Sequence, residues 1–440
     1  MGTGFLFVLM MTRNLTAEEF GVLNNVNDVT GLLIVFVGVF PFWITRYVAR
    51  GFESSSLTGV VLNMAIGMLV LVVGLTLTPA LTAVFKVTQL YYVLGSLNAF
   101  EMYILSGLEA VAGARRPHLI GYSLIIGEAL KLAIAYVLVM IFRFSLLGFV
   151  WSLIGCSLSS IAFYLFKVKD QLRGRISANY VRAWVKGSFL NIYYAAGMRL
   201  ASLEVIVLIL LSGDVARAYY ATGIMLTSLV HHATALAVSL YPRLLVGESE
   251  KAFESSLKQV FMFAVPMSFG IVAMAEAFLT ILNPSYLVIV RLVYLMSIGA
   301  LLNNFSHLLN VILSATERVD AEGSFTGKQI ASSALFKLAT IPYAYAALDL
   351  PILFLLLSHF ASTPLEAASL CFLLKFALDC AIVFVKYVIV RRGVDIKIPH
   401  WALLKYSFAS MVMAIILRSL QLPPRILTVL VQVGFGAITY

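Results

Sequence analysis

Charged side chains are scarce in this chain, and several fall inside long apolar runs, where an ionised group is costly unless a partner or water receives it. Arg199 and Glu204 lie in the run 189–211, five residues apart and poorly aligned with each other on a helix. A guanidinium does not escape its charge by losing a proton, so Arg199 calls for an anion, either an acidic side chain or a phosphate. His231 and His232 are adjacent and point roughly 100° apart on a helix, so they make no metal pair. Their imidazoles serve either core hydrogen bonding or a polar ligand. Asn24, Asn25, Asn27 and Asp28 open the run 23–45. Asn24, Asn27 and Asp28 share one helical face, which either lines water or marks an interfacial helix end.

Glu101 and Glu276 are isolated carboxylates within the runs 89–112 and 260–282, and with Glu204 they are candidates for coupling transport to a proton or sodium ion. Pairing of Glu101 with Lys131 is the structural alternative. Glu128 with Lys131, and Lys375 with Asp379, stand at i,i+3 and i,i+4 spacing with opposite signs, so each pair neutralises itself locally. Arg46 ends its run and is either a first contact for a phosphate or a topology anchor.

The elements that hold these residues must be membrane helices. Hydrophobic residues make up 61% of the 440, charged residues 12%, and mean hydropathy is +0.97. Too little charge remains to cover a soluble surface, so lipid is the solvent. A bilayer core takes roughly 20 apolar residues in a helix, and 57–85 exceeds that without a charge. The short alternating segments of membrane barrels are absent. The net charge of +10 does not indicate nucleic acid, because the basic residues cluster in short gaps between apolar runs. Cys156, Cys371 and Cys380 form no CxxC pair, so neither a disulfide framework nor a metal or cofactor site is expected. The first run, 4–11, lacks the basic flank and small-residue site of a cleavable signal.

The reading is an all-α polytopic membrane protein of fourteen spans: 4–11, 23–45, 57–85, 89–112, 119–141, 146–166, 189–211, 216–241, 260–282, 292–315, 330–357, 365–390, 401–420 and 426–440. The first is too short to cross a bilayer alone. With the N-terminus cytoplasmic, nineteen Lys and Arg are assigned to the inner side, Lys386 at a span's end among them, and seven to the outer side, including Arg217 and Arg418 at span ends, the charge asymmetry of a multi-pass plasma-membrane protein. A weak repeat joins helix n to helix n+6. Ile104-Leu105-Ser106-Gly107-Leu108-Glu109 returns as Ile312-Leu313-Ser314-Ala315-Thr316-Glu317, and Ala129-Leu130-Lys131-Leu132-Ala133 as Ala334-Leu335-Phe336-Lys337-Leu338-Ala339. Residues 20–46 likewise echo 219–243. A six-helix shift keeps both copies in one orientation, giving two six-helix lobes (1–180 and 181–392) related by a pseudo-two-fold along the membrane normal, plus a helix pair (393–440). Paired lobes around a cavity suit alternating access.

The segment Asn14-Leu15-Thr16-Ala17-Glu18-Glu19-Phe20-Gly21, followed by a helix ending Thr45-Arg46-Tyr47-Val48-Ala49, resembles the polysaccharide-biosynthesis flippases. These belong to the superfamily that includes lipid II flippases and multidrug and toxin extruders. The six-plus-six helices, the basic linker after helix 6 and the two further helices carry the resemblance along nearly the whole chain. It implies translocation of a sugar linked to polyprenyl or dolichyl phosphate from the cytoplasmic to the outer leaflet. Membrane lipids and glycosyltransferases of the pathway are the implied partners. It also implies that helices 1, 2, 7 and 8 flank a central cavity, gathering Asn24, Asn27, Asp28, Arg199, His231 and His232. A phosphate there needs a buried cation, and a sugar needs amide and imidazole hydrogen bonds.

Two rivals compete. A cation-coupled exporter of drugs or small metabolites on the same fold is favoured by Glu101, Glu204 and Glu276. A membrane-embedded glycosyltransferase or phosphatase would need clustered carboxylates or a sizeable catalytic loop, and the sequence has neither.

Overall fold

The computed structural model describes residues 2–52, 54–237, 249–315, 334–393, 397–420 and 422–440, and these form helices joined by short turns, with no strand among them. Contacts divide the chain into two units, Met1–Val215 and Ala216–Tyr440. In the first unit run α1 (Gly2–Asn14), α2 (Ala17–Leu33), α3 (Val39–Ala49), α4 (Ser55–Phe85), α5 (Gln89–Arg115), α6 (His118–Ala135), α7 (Ser145–Val168), α8 (Ala178–Gly187) and α9 (Phe189–Ala201). A π-helical turn, Tyr136–Ile141, prolongs α6. Helix α10 (Glu204–His231) leads into the second unit, which continues with α11 (Ser249–Leu282), α12 (Val290–Ala315), α13 (Ala334–Phe360), α14 (Pro364–Gly393), α15 (His400–Ser419) and α16 (Ile426–Thr439).

Among the described residues, nine helical stretches are long and apolar enough to cross a membrane. All fourteen expected spans fall on helix wherever they are described, apart from a turn at 34–38 and the breaks described below. The chain is a multi-pass α-helical membrane protein. Its helices are patterned for lipid rather than water. On α4, Met64, Met68, Leu69 and Val72 are exposed, whereas Thr58, Gly59, Asn63, Gly67 and Gly74 are buried. Small residues face inward because helices in lipid associate by close backbone packing, not by hiding apolar surface. A Cβ on Gly67 would meet the Tyr103 Cβ at 2.8 Å, and one on Gly74 the Ser96 hydroxyl, which shows how tightly α4 lies on α5.

Three expectations need correction. The run 23–45 is not one helix: α2 stops at Leu33, and turns through 34–38 precede α3. The freed carbonyls are received by α5, where the Tyr103 hydroxyl donates to Leu33 O (3.2 Å) and the Ser106 hydroxyl to Val37 O (3.4 Å). A break at membrane depth is tolerable when neighbouring hydroxyls satisfy it in this way. The run 189–211 is likewise broken, between α9 and α10 at Ser202–Leu203, with the Ser202 hydroxyl bonding Arg199 O. No loop separates it from the next run; Gly213 alone, at φ 80° and ψ 178°, turns the chain, a conformation essentially reserved for glycine. Two charges counted towards the membrane flanks are inside helices and buried: Arg217 in α10 and Lys386 in α14, where its Nζ donates to Ser306 Oγ at 2.9 Å.

The basic linker also holds a helix. Tyr180 and Trp184, four residues apart on α8, pack against Tyr47 of α3, with Trp184 wholly buried. This end of the first unit is stapled by Trp43 Nε1 to Ser188 Oγ (2.8 Å), Ser177 N to Thr58 Oγ1 (3.0 Å) and Arg116 to Asp170 (2.7 Å). The opposite end gathers the start of α2, Lys86, Thr88 and the 213–214 turn. There Thr16 and Glu19 form a reciprocal cap on α2, and the Ser145 hydroxyl donates to Glu19.

Candidate functional site

The two broken helices of the first unit meet at Arg199. It sits in the last turn of α9, eleven residues beyond Ser188, which is about 16 Å along the helix and inside an apolar candidate span. Its Nη1 lies 3.3 Å from where a Cβ on Gly31 would be, in the last turn of α2, and its charge reaches Tyr103. The guanidinium therefore rests against the carbonyl end of α2, which offers about half a unit of negative charge. Among the described residues no carboxylate forms an ion pair with Arg199. Glycine at 31 leaves the guanidinium its approach.

Gly31 extends the stripe of Asn24, Asn27 and Asp28 by one turn, so that polar face and Arg199 share one side of α2. Within the stripe Asn27 is exposed, while Asn24 and Asp28 are half-buried, and the Asn24 amide is turned back onto Phe20 O (2.7 Å). The fully buried member is Asn25, on the other face. Its Nδ2 donates to Asp214 Oδ1 at 3.5 Å, and it accepts from the Tyr92 hydroxyl at 3.3 Å. Asp214 is delivered there by the Gly213 turn. Glu18, Glu19, Lys86, Tyr91 and Asp214 line a cavity of about 590 Å³ at that end of the unit.

Arg46 is exposed near the end of α3, stacked over the Phe42 ring at 4.2 Å. It lines a largely apolar cavity of about 650 Å³ with Gly38, Thr45, Ser106 and Glu109. Glu101 is 3% exposed on α5, within hydrogen-bond reach of Asn98, and its Oε2 has no partner among the described residues. It does not bond Lys131, which is taken by Glu128 and sits 4.8 Å from the Phe7 ring. Glu204 is buried and engaged. Glu276 is exposed on α11, so it has none of the burial that makes Glu101 unusual.

In the second unit His231 and His232 are both exposed. His231 meets Asn304 of α12 (Nδ1 to Oδ1, 3.0 Å), and its ring lies 5.8 Å from that of His307, nearly perpendicular. Asn304 and His307 escaped the sequence reading. For His307 the signal was present, since Asn303, His307 and Asn310 follow i, i+4, i+7 inside an apolar helix; Asn304 lies off that face. Among the described residues no three potential metal ligands converge.

No family model matches the sequence, and no curated protein matches it. Solved structures do. An inward-facing multidrug resistance transporter of the MATE family, within the MOP superfamily, is similar over 89% of this chain and 93% of its own, at 11% identity and a TM-score of 0.66. The lipid II flippase MurJ, in an inward closed conformation, is similar over 100% and 96%, at 13% identity and a TM-score of 0.63. A MOP superfamily transporter from Pyrococcus furiosus, described as having a binding pocket of reverse polarity that suggests a different function, gives 11% identity, 89% and 91% coverage and a TM-score of 0.53. The likeness is one of fold along nearly the entire chain.

Proposed function

We propose that the protein is a flippase for a lipid-linked oligosaccharide, a sugar on a polyprenyl or dolichyl phosphate, moved from the cytoplasmic to the outer leaflet of the plasma membrane by alternating access of the lobes 1–180 and 181–392. The observation that carries this reading is Arg199: a permanent cation inside an apolar candidate span with no carboxylate paired to it among the described residues. A phosphate completes its neutralisation, and a guanidinium grips a phosphate through two donors at once. Asn24, Asn27 and Asp28 supply hydrogen bonds to a sugar beside it, and His231 and His232 are further sugar contacts that the family resemblance implies. Arg46 meets the phosphate at entry. The MurJ likeness is consistent with a lipid-linked cargo. The Pyrococcus furiosus neighbour, described by the reverse polarity of its binding pocket, makes pocket polarity a discriminator between functions on this fold.

The test reconstitutes the protein in liposomes with a short-chain lipid-linked sugar and follows its accessibility from each leaflet. Wild type moves it; Arg199→Ala folds and does not. Normal translocation by Arg199→Ala would remove the phosphate-anchor role. A second reading, cation-coupled export, rests on the buried, partnerless Oε2 of Glu101, with Glu204 and Glu276 as further coupling candidates. Proton-driven efflux of cationic dyes, without any movement of lipid-linked sugar, would select it.

A further inference from the structure

The second unit contains a histidine whose tautomer is decided by its surroundings. Asn304 is fully buried, and its Nδ2 lies 2.9 Å from Val230 O. A carbonyl only accepts, so the amide nitrogen must face Val230 and the amide oxygen must face His231. Val230 is in the last turn of α10, where α-helix passes into the 3₁₀ turn His232–Ala237, so its carbonyl is one that needs an outside donor. The Asn304 orientation is therefore forced by backbone chemistry. It has a consequence 3.0 Å away: Asn304 Oδ1 can only accept, so His231 Nδ1 must carry the hydrogen. In the neutral ring Nε2 is then bare, a lone pair on an exposed side chain.

That lone pair does not face hydrocarbon. Exposed polar residues within membrane helices face water or a ligand, and here His231, His232, Asn303 and His307 are all exposed. The His307 ring stands nearly perpendicular to His231 at 5.8 Å, forming one wall of the same polar patch.

We propose that His231 is a specificity-determining hydrogen-bond acceptor, with Nε2 receiving a hydroxyl or amide N–H of the saccharide headgroup, and that Asn304 is the residue that positions it by fixing the tautomer. The saccharide part of this assignment rests on the flippase reading above; the tautomer does not. A cargo that only carries phosphate offers Nε2 no donor and is not selected by this group.

The experiment uses the full chain, ¹⁵N-histidine labelled, in lipid bilayers, with the His231 resonances identified among the six histidines by their loss in His231→Asn. Nitrogen shifts distinguish protonated from bare ring nitrogens. The expected result is Nδ1–H with bare Nε2 in wild type, and a mixture of tautomers in Asn304→Ala. Farnesyl-diphosphate-linked N-acetylglucosamine should shift the Nε2 resonance, and farnesyl diphosphate alone should not. His231→Asn keeps the group facing Asn304 and loses the outer acceptor, so it should bind the sugar probe roughly tenfold more weakly. His231→Gln, whose amide reaches the Nε2 position, should restore binding to within about threefold of wild type. A wild-type Nε2–H tautomer, an Nε2 signal unmoved by the sugar probe, or wild-type affinity in His231→Asn would each overturn the proposal. A shifted Nε2 signal with no translocation in liposomes would uphold it and sink the flippase reading. Translocation with an unmoved signal would do the reverse.

Discussion

Replacing Gly21 by alanine tests whether the α2 crossing builds the first unit. A Cβ at 21 would lie 2.0 Å from Asp214 O, 2.5 Å from its carbonyl carbon and 2.7 Å from its Cβ. Two of these three atoms are backbone, so no side chain can swing away; α2 and the 213–214 turn must separate by about an ångström. Overpacking of this kind costs about 1–3 kcal/mol. The separation also carries Asp214 away from Asn25, whose contact is already 3.5 Å long, leaving a fully buried amide short of one partner. That adds about 1–2 kcal/mol. Alanine returns close to 1 kcal/mol in helix propensity, so the net loss is about 1–4 kcal/mol. Reversible unfolding in mixed micelles measures it. Gly121→Ala is the control: it sits in α6 with nothing within 4 Å of the new methyl, and should be neutral or slightly stabilising. If Gly21→Ala unfolds within about 0.5 kcal/mol of that control, the close crossing is not what holds Asp214 against α2.

Tyr103→Phe removes the donor to Leu33 O at the α2 break and should cost about 1 kcal/mol in the same assay; no change would mean that another group satisfies that carbonyl. Trp184→Ala empties a wholly buried site against Tyr47 and Tyr180 and should cost about 3–5 kcal/mol, with protease cleavage appearing around 178–187 before the rest of the chain. Glu101→Gln removes a buried carboxyl whose Oε2 has no partner among the described residues, and should leave stability unchanged or raise it by about 1 kcal/mol; a loss above about 2 kcal/mol would reveal a counter-charge that Glu101 depends on.

Hydropathy alone made the apolar spans legible, though not their internal breaks. Hydropathy is a local quantity, and in lipid every backbone group must be paired within its own helix, so an apolar run of sufficient length has little choice. The positions of Arg199 and Glu101 as expensive charges were legible for the same reason. What the sequence did not reveal is where helices break and which polar groups meet. The run 189–211 contains no proline to announce the interruption at Ser202, whereas Pro41, in the first turn of α3, is a sequence signal for the break before it. What the first break needs from outside is the Tyr103 hydroxyl on another helix, with Ser106 shared between Val37 O and Tyr103 O, while at the second the local hydroxyl of Ser202 bonds Arg199 O. Helical periodicity ranked Asn24, Asn27 and Asp28 above Asn25. The fold buries Asn25 instead, because Gly213 turns Asp214 towards it from 189 residues away in sequence. Likewise His231 reads as a bare imidazole until Asn304 and Val230 assign its proton. Composition determines which segments lie in the membrane; only tertiary contact determines how the few polar groups there are satisfied, since each partner comes from a different helix.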